Sequence, residues 1–232
     1  MIKTVIFDLD NTLYAYAPAH EAGFRAVTAY GEKVLGIPTE RFPALHREAD
    51  RLLRRWAGED AAVIHSRLIR YQLLLEGLGL PISHAQRMAA LYWEHFFAEV
   101  VTEPGTREAL AALRERGLRI GVGTNMTAEQ QYEKLSRLGL IELVDYLVTS
   151  EEVSAEKPDA RLFRRCVEKA GCPAGNCLFV GDDPERDVCG ALAAGLQAVY
   201  LQREDSAAPL GPEVPRIRRI AELPELLQSR NM

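Results

Sequence analysis

Val5-Ile6-Phe7-Asp8-Leu9-Asp10-Asn11-Thr12-Leu13-Tyr14 is the stretch on which the reading turns. An apolar, β-branched run ends abruptly in two carboxylates one residue apart. Residues 2–8 predict a strand, in which alternate side chains point the same way. Asp8 and Asp10 then stand at the carboxyl end of a buried strand, the edge where open α/β sheets bind ligands. Core packing favours no acid there, because buried unpaired charge is expensive. A divalent cation between the two would remove the conflict.

The next strand signal lies far downstream. From Ala17 to about Val100 the chain has helical periodicity. One helix opens around His20 and closes near Gly36. A second spans Pro43 to Trp56, with Leu45, Ala49, Leu52, Leu53 and Trp56 at helical spacing. A third is predicted over Ala61–Glu76, with Val63, Ile64, Leu68, Tyr71 and Leu75 on one side. Ser83 is placed to N-cap a fourth through Met88, Leu91, Tyr92 and Phe96. Four helices with short connections predict a small antiparallel bundle. Residues 15–100 thus form a helical cap domain inserted in an α/β core of residues 1–14 and 101–232. The insert begins one turn after the two acids and is expected to cover them, with hinges near Tyr14–Pro18 and Thr102–Gly105.

Beyond the insert, helices and short apolar strands alternate. Helices are predicted over Thr106–Arg116, from a capping box at Thr127-Ala128-Glu129-Gln130 to Leu138, over Pro158–Ala170 and over Glu185–Ala194. Strands are predicted at Leu118–Gly123, Tyr146–Thr149, Cys177–Val180 and Ala198–Leu201. Asp205–Pro215 reads as a loop, Ile217–Ile220 as a weak edge strand and Leu223–Gln228 as a short helix. This order requires a doubly wound parallel sheet with helices on both faces.

Four strand ends carry polar residues: Asp8 and Asp10; Thr124 and Asn125; Lys157 just before a helix; and Gly181-Asp182 with Asp187. In a parallel sheet these ends share one edge. Carboxylates suit Mg²⁺, and a hydroxyl, an amide and an ammonium suit phosphate oxygens. One Asp can attack phosphorus, and a second can donate a proton to the leaving oxygen and later take one from water. Singly, each residue has a structural reading: Asp8 as a turn residue, Thr124 and Asn125 as helix leaders, Lys157 as a solvated lysine, Asp183 as an N-cap before Pro184. Their joint occurrence in this order is specific.

With those residues in hand, the chain resembles the haloacid dehalogenase (HAD)-like hydrolases with a helical cap, in their phosphatase branch. The D-x-D-x-T/V motif of that superfamily matches Asp8-Leu9-Asp10-Asn11-Thr12. Its Thr/Ser motif matches Thr124, its Lys motif Lys157-Pro158, and its G-D-x(3–4)-D motif Gly181-Asp182 with Asp187. The resemblance implies a Rossmann-like core and an Mg²⁺-dependent phosphatase acting on a small phosphorylated metabolite through an aspartyl-phosphate. It implies Asp8 as nucleophile and metal ligand, and Asp10 as general acid/base that also binds the metal through its carbonyl. Thr124, Asn125 and Lys157 would hold the phosphoryl oxygens, Asp182 would ligate Mg²⁺, and Asp187 would support the site. Met126 departs from the small residue common there, which puts the space beside the phosphate in question.

Other readings remain beside it. Dehalogenases of the superfamily lack an acid at the position of Asp10. A β-phosphoglucomutase-like phosphosugar mutase would use a cap-hinge histidine, where His20 stands; otherwise His20 is an ordinary first-turn helix residue. A non-catalytic phospholigand-binding protein would have no use for the nucleophile.

Composition bounds the rest. At 232 residues, 47% hydrophobic, with net charge −5, the chain carries no basic footprint for nucleic acid or an anionic membrane. Mean hydropathy is −0.13. No apolar run reaches the ~18 residues of a membrane span, and no signal-peptide pattern opens the chain. A cytoplasmic monomer or homodimer is expected. The four cysteines form no metal or redox motif and read as small hydrophobes. Between residues 41 and 70, Arg41, Arg47, Arg51, Arg54, Arg55, Arg67 and Arg70 outnumber Glu48, Asp50, Glu59 and Asp60. Each arginine alone reads as a solvated helix face, and the aromatics Trp56, Tyr71, Tyr92, Trp93, Phe96 and Phe97 as bundle core.

Overall fold

The computed structural model describes residues 1–203 and 210–229. Its strands are β1 (Thr4–Phe7), β2 (Arg119–Thr124), β3 (Tyr146–Thr149), β4 (Cys177–Gly181), β5 (Gln197–Leu201) and β6 (Arg216–Ile217). All pair in parallel, in the order β3-β2-β1-β4-β5-β6. The chain separates into two compact units, 1–15 with 101–232, and 16–100.

In the α/β unit, every residue of β1 is buried, as befits a short β-branched and aromatic run covered on both faces. The chain lays β2 and β3 on one side of β1, then returns to lay β4 to β6 on the other. The reversal between β1 and β4 is the switch point at which such sheets open a ligand crevice. Ile6, Val148 and Phe179 pack on Leu162, Phe163 and Cys166 of α8 (Ala160–Ala170) and on Ala191 of α9 (Gly190–Ala193). Each large side chain so buried contributes about 1.5–3 kcal/mol. On the other face α5 (Thr106–Glu115) packs on β2, with Leu110 and Leu113 buried.

Three helix starts differ from the sequence expectation. α6 (Ala128–Arg137) has Thr127 at its N-cap position, but the Thr127 hydroxyl meets the Gln130 side chain, and Glu151 accepts from the Ala128 N–H at 2.8 Å. α8 begins at Ala160, not Pro158: Asp159 caps it, accepting from the Arg161 N–H at 2.8 Å, and Pro158 follows Lys157 through a cis peptide. The helix expected from Glu185 starts as a wide π-helical segment, Pro184–Cys189, capped by Asp183. At the far edge, β6 is two residues long; residues 205–209 of the expected Asp205–Pro215 loop lie outside the described residues.

The helical unit holds α1 (Tyr16–Leu35), α2 (Phe42–Ala57), α3 (Arg67–Gly77) and α4 (His84–Ala98). α1 packs on α4, α2 on α3, and α3 on α4. Gly23 permits the first contact, since a Cβ there would lie 2.6 Å from the Tyr92 carbonyl oxygen. The expected continuous third helix is broken. A 3-10 turn, Ala62–His65, ends at Ser66, whose extended backbone and side chain cap α3 through the Ile69 N–H at 3.3 Å. The break shifts the buried stripe: Ile64, Tyr71 and Leu75 of the expected face are buried, but Leu68 is exposed, and Arg67, Arg70 and Leu74 are buried as well. Trp56, expected in the core, is 78% exposed, while Tyr71, Tyr92 and Phe96 are buried. Arg67 and Arg70 depart from the solvated reading for the same reason. Ser83 makes no side-chain cap bond. Among the described residues no helix is long and apolar enough to cross a membrane.

Candidate active site

The turn after β1 sends the two acids to different partners. β1 ends at Phe7, and the Asp8 N–H reaches Val180 O at 2.9 Å, extending the pairing with β4 by one residue. The chain then turns at Asn11, whose φ of 62° is left-handed, and the N–H groups of Thr12 and Leu13 return to Leu9 O at 3.2 and 3.0 Å. Asn tolerates that conformation better than most residues. The alternation of a strand therefore does not set the directions of Asp8 and Asp10; the turn does.

Asp8 is buried in an acidic cluster. Lys157 Nζ lies 2.5 Å from Asp8 Oδ1 and 2.6 Å from Asp187 Oδ1. The Thr12 hydroxyl stands 3.2 Å from Asp8 Oδ2 and 3.3 Å from Asp182 Oδ1, with one proton to give between them. Carboxylate oxygens of Asp8, Asp182 and Asp187 all lie within 4.8 Å of one another. Burial, against the pull of Lys157 and with repulsion from Asp187 and Asp182, raises Asp8 to about 7. Burial and Asp187 raise Asp182 to about 6. Three carboxylates facing one ammonium form an oxygen donor set with surplus negative charge, which fits a hard divalent cation. The cluster depends on Gly181, where a Cβ would meet the Asp187 carboxylate at 2.2 Å. The π-helical segment brings Asp187 there, and the Asp183 N–H holds its Oδ2 at 3.1 Å.

Asp10 pairs with a different lysine. Lys134 Nζ on α6 lies 2.7 and 2.8 Å from the two Asp10 oxygens, Gln131 Nε2 lies 3.4 Å from one, and the Tyr14 hydroxyl donates to the other. Burial pushes the Asp10 carboxyl up, but Lys134 and these hydrogen bonds outweigh it and hold it below the usual range. Lys134 is completely buried. Sequence reasoning missed it. The available signal was its place on the inner stripe of α6, with Gln131 and Leu135, where an apolar residue belongs.

Gln131 joins the two halves by donating to Thr124 Oγ1 at 2.8 Å and to Asn125 O at 2.9 Å. The Asn125 side chain is already committed: Oδ1 accepts from the Lys157 N–H at 2.8 Å and Nδ2 donates to Glu156 at 3.2 Å. Its side chain ties down the lysine loop instead of standing free for a phosphoryl oxygen. Met126, at φ 116°, turns its thioether to Lys134 Nζ at 3.4 Å. Asp8, Asp182, Asp187 and Lys157 thus form one cluster; Asp10, Lys134, Gln131 and Thr124 form a second hydrogen-bonded chain beside it. The first is carried on the carboxyl ends of β1 and β4 and the loop after β3, the second on the ends of β1 and β2 and on α6.

A family model described as haloacid dehalogenase-like hydrolase matches residues 2–195. The chain belongs to this hydrolase family. It is 36% identical over 211 residues to the ribulose-1,5-bisphosphate 5-phosphatase of Halopiger xanaduensis, covering 89% of this chain and 87% of that protein. It is 31% identical over 234 residues to the glyceraldehyde 3-phosphate phosphatase of Methanothermobacter thermautotrophicus, covering 98% and 100%. Among solved structures, a 2-haloacid dehalogenase from Pseudomonas syringae aligns with a TM-score of 0.80 and 27% identity, covering 99% of this chain and 100% of that one. Phosphatases and a dehalogenase share this fold, so the side chains at the sheet edge, and not the fold, select the reaction.

Proposed function

We propose that the protein is an Mg²⁺-dependent phosphatase that hydrolyses a small phosphorylated metabolite through an aspartyl-phosphate on Asp8, with residues 1–14 and 101–232 as its catalytic core and 15–100 as an inserted cap domain. The observation that carries this is the separate housing of two acids: Asp8 against Lys157, Asp182 and Asp187, and Asp10 against Lys134 and Gln131.

A carboxylate oxygen of Asp8 bonds to phosphorus as the ester P–O bond breaks, and Asp10 gives its proton to the leaving oxygen. Water then loses a proton to Asp10 and attacks phosphorus. The bond to Asp8 breaks, releasing inorganic phosphate and restoring the carboxylate. Lys157 and the Thr124 hydroxyl hold the non-bridging oxygens, with the Asn125 backbone beside them. Lys134 favours ionised Asp10, the form that takes the proton from water. Asp8 and Asp182, with the Asp10 carbonyl, would hold Mg²⁺, supported by Asp187; when bound, it supplies neutralisation of the carboxylate–phosphate repulsion.

Asp10 disfavours dehalogenation, because displacing a halide leaves no oxygen to protonate. The mutase reading rests on His20, whose Nδ1 is engaged with the Tyr92 hydroxyl at 2.7 Å. The free thiols of Cys172 and Cys177, 3.5 Å apart, suit a reducing compartment such as the cytoplasm. The test is phosphate release from an aryl phosphate with and without Mg²⁺, then from a panel of phosphorylated metabolites, beside an isomer assay on sugar phosphates. Turnover is expected with Mg²⁺ and not in Asp8→Asn; a wild type without turnover ends the enzyme reading, and isomerisation without phosphate release makes it a mutase.

A further inference from the structure

The helical unit buries a polar cluster of its own, built from cations. Arg67 and Arg70, three apart on α3, share a face and are 5% and 6% exposed. Arg70 has a carboxylate, Asp50, at 2.6 Å. Asp50 is shared with Arg54 at 2.9 Å, and Arg54 also meets Glu59 at 3.0 Å. Arg67 has no carboxylate partner among the described residues. Its Nη atoms donate to the His65 carbonyl at 3.2 Å and to the hydroxyls of Tyr16 and Tyr92 at 3.0 and 3.1 Å. Its guanidinium carbon lies 4.6 Å from the Tyr92 ring centre and 5.6 Å from that of Trp93. Hydroxyls and ring faces attract a cation without cancelling its charge. Three guanidiniums against two carboxylates leave one positive charge over, and buried charge without a counter-charge is costly.

Donors are left over as well. Arg67 Nε, Arg70 Nε and the Tyr71 hydroxyl are buried without a hydrogen-bond partner among the described residues. His46, whose ring centre is 6.0 Å from that of Tyr71, is held neutral, at about 3, by burial and by the charges of Arg70 and Arg67. Surplus charge and unserved donors coincide on the same few residues. One kind of ligand answers both, since an oxyanion brings negative charge and several acceptors together.

We propose that Arg67, with Arg70 and the Tyr71 hydroxyl, forms a binding site for a small oxyanion, the carboxylate or phosphate group of a small molecule. All three residues lie on α3, and the proposal stands independently of the catalytic assignment.

Trp93 reports on the site. The chain has two tryptophans, and Trp56 is exposed, so the full-length Trp56→Phe protein leaves Trp93 as the single emitter. Its fluorescence is titrated with inorganic phosphate, sulfate and malonate at constant ionic strength set by NaCl. A saturable change is expected with at least one anion, weakened at least tenfold by adding Arg67→Gln. Preference for phosphate and sulfate assigns a phosphoryl ligand; preference for malonate assigns a carboxylate. Arg67→Lys, which keeps the charge with fewer donors, is expected to bind at least threefold more weakly and serves if Arg67→Gln does not fold. The proposal is overturned if none of the three anions gives a saturable change in the parent, or if Arg67→Gln responds as the parent does.

Discussion

The two units each bury a charged cluster, and the clusters are of opposite sign. In the α/β unit, Asp8, Asp182 and Asp187 crowd around Lys157; in the helical unit, Arg70 pairs with Asp50, and Arg67 is buried near it with hydroxyls and a carbonyl as its partners. Neither is neutral by itself, and self-contained folds avoid burying net charge. The acidic cluster calls for a cation and the basic one for an anion. The difference also explains why one was legible beforehand. Acids at strand ends violate the strand pattern and stand out. Arginines on a helix look like a wet face, and become a cluster only once the break at Ser66 turns them inward.

The largest effect should come from the acidic side. Asp8→Asn keeps the shape and removes the attacking carboxylate, so kcat with an aryl phosphate should fall about 10⁴-fold or more. A loss of tenfold or less would mean that Asp8 is not the attacking group. Lys134 comes next. Without its ammonium the Asp10 carboxyl rises, so Lys134→Met should lower kcat at neutral pH about 10²-fold and move the acidic limb of the pH–rate profile upward. Lys134→Arg should recover part of the loss. Equal changes in kcat at every pH would make Lys134 a packing residue only.

The fold was legible because its signals are local. β-branched runs, glycine stops and alternating helices fix a parallel sheet, and the polar strand ends follow from it. What was illegible depends on long-range geometry. Lys134 is 124 residues from Asp10 and is recognisable only once α6 is seen to aim its inner stripe at the turn after β1. Asn125 belongs to the expected set, yet its side chain serves the lysine loop, because Lys157 N–H and Glu156 claim it. Trp56 failed as a core residue because helical spacing defines a stripe without saying how wide the buried part is.

Carboxylate crowding predicts a pH signature in the metal-free protein. Asp182 binds a proton more tightly folded than unfolded, about 6 against an ordinary 3.8, so its contribution to stability falls as pH rises between those values. Measured in EDTA, Asp182→Asn should gain on wild type by about 1–2 kcal/mol from pH 4 to 7. With Mg²⁺ at a hundred times its dissociation constant, wild type should gain about 2.7 kcal/mol and Asp182→Asn less. If the two proteins share one pH–stability curve in EDTA, the three acids are not in conflict.

The smallest effect tests the helical unit's boundary between core and surface. Trp56 and Phe96 both fit an inner stripe by spacing, but one is 78% exposed and the other fully buried. Truncating a buried aromatic removes its transfer energy and leaves a cavity, so Phe96→Ala should cost about 3–5 kcal/mol in urea unfolding. Trp56→Ala removes a larger ring that is mostly in water already, and should stay within about 0.5 kcal/mol. A cost for Trp56→Ala near that of Phe96→Ala would mean that α2 turns its end inward. The inner stripe of the helical unit would then be wider than Arg67, Arg70 and their aromatic neighbours define it.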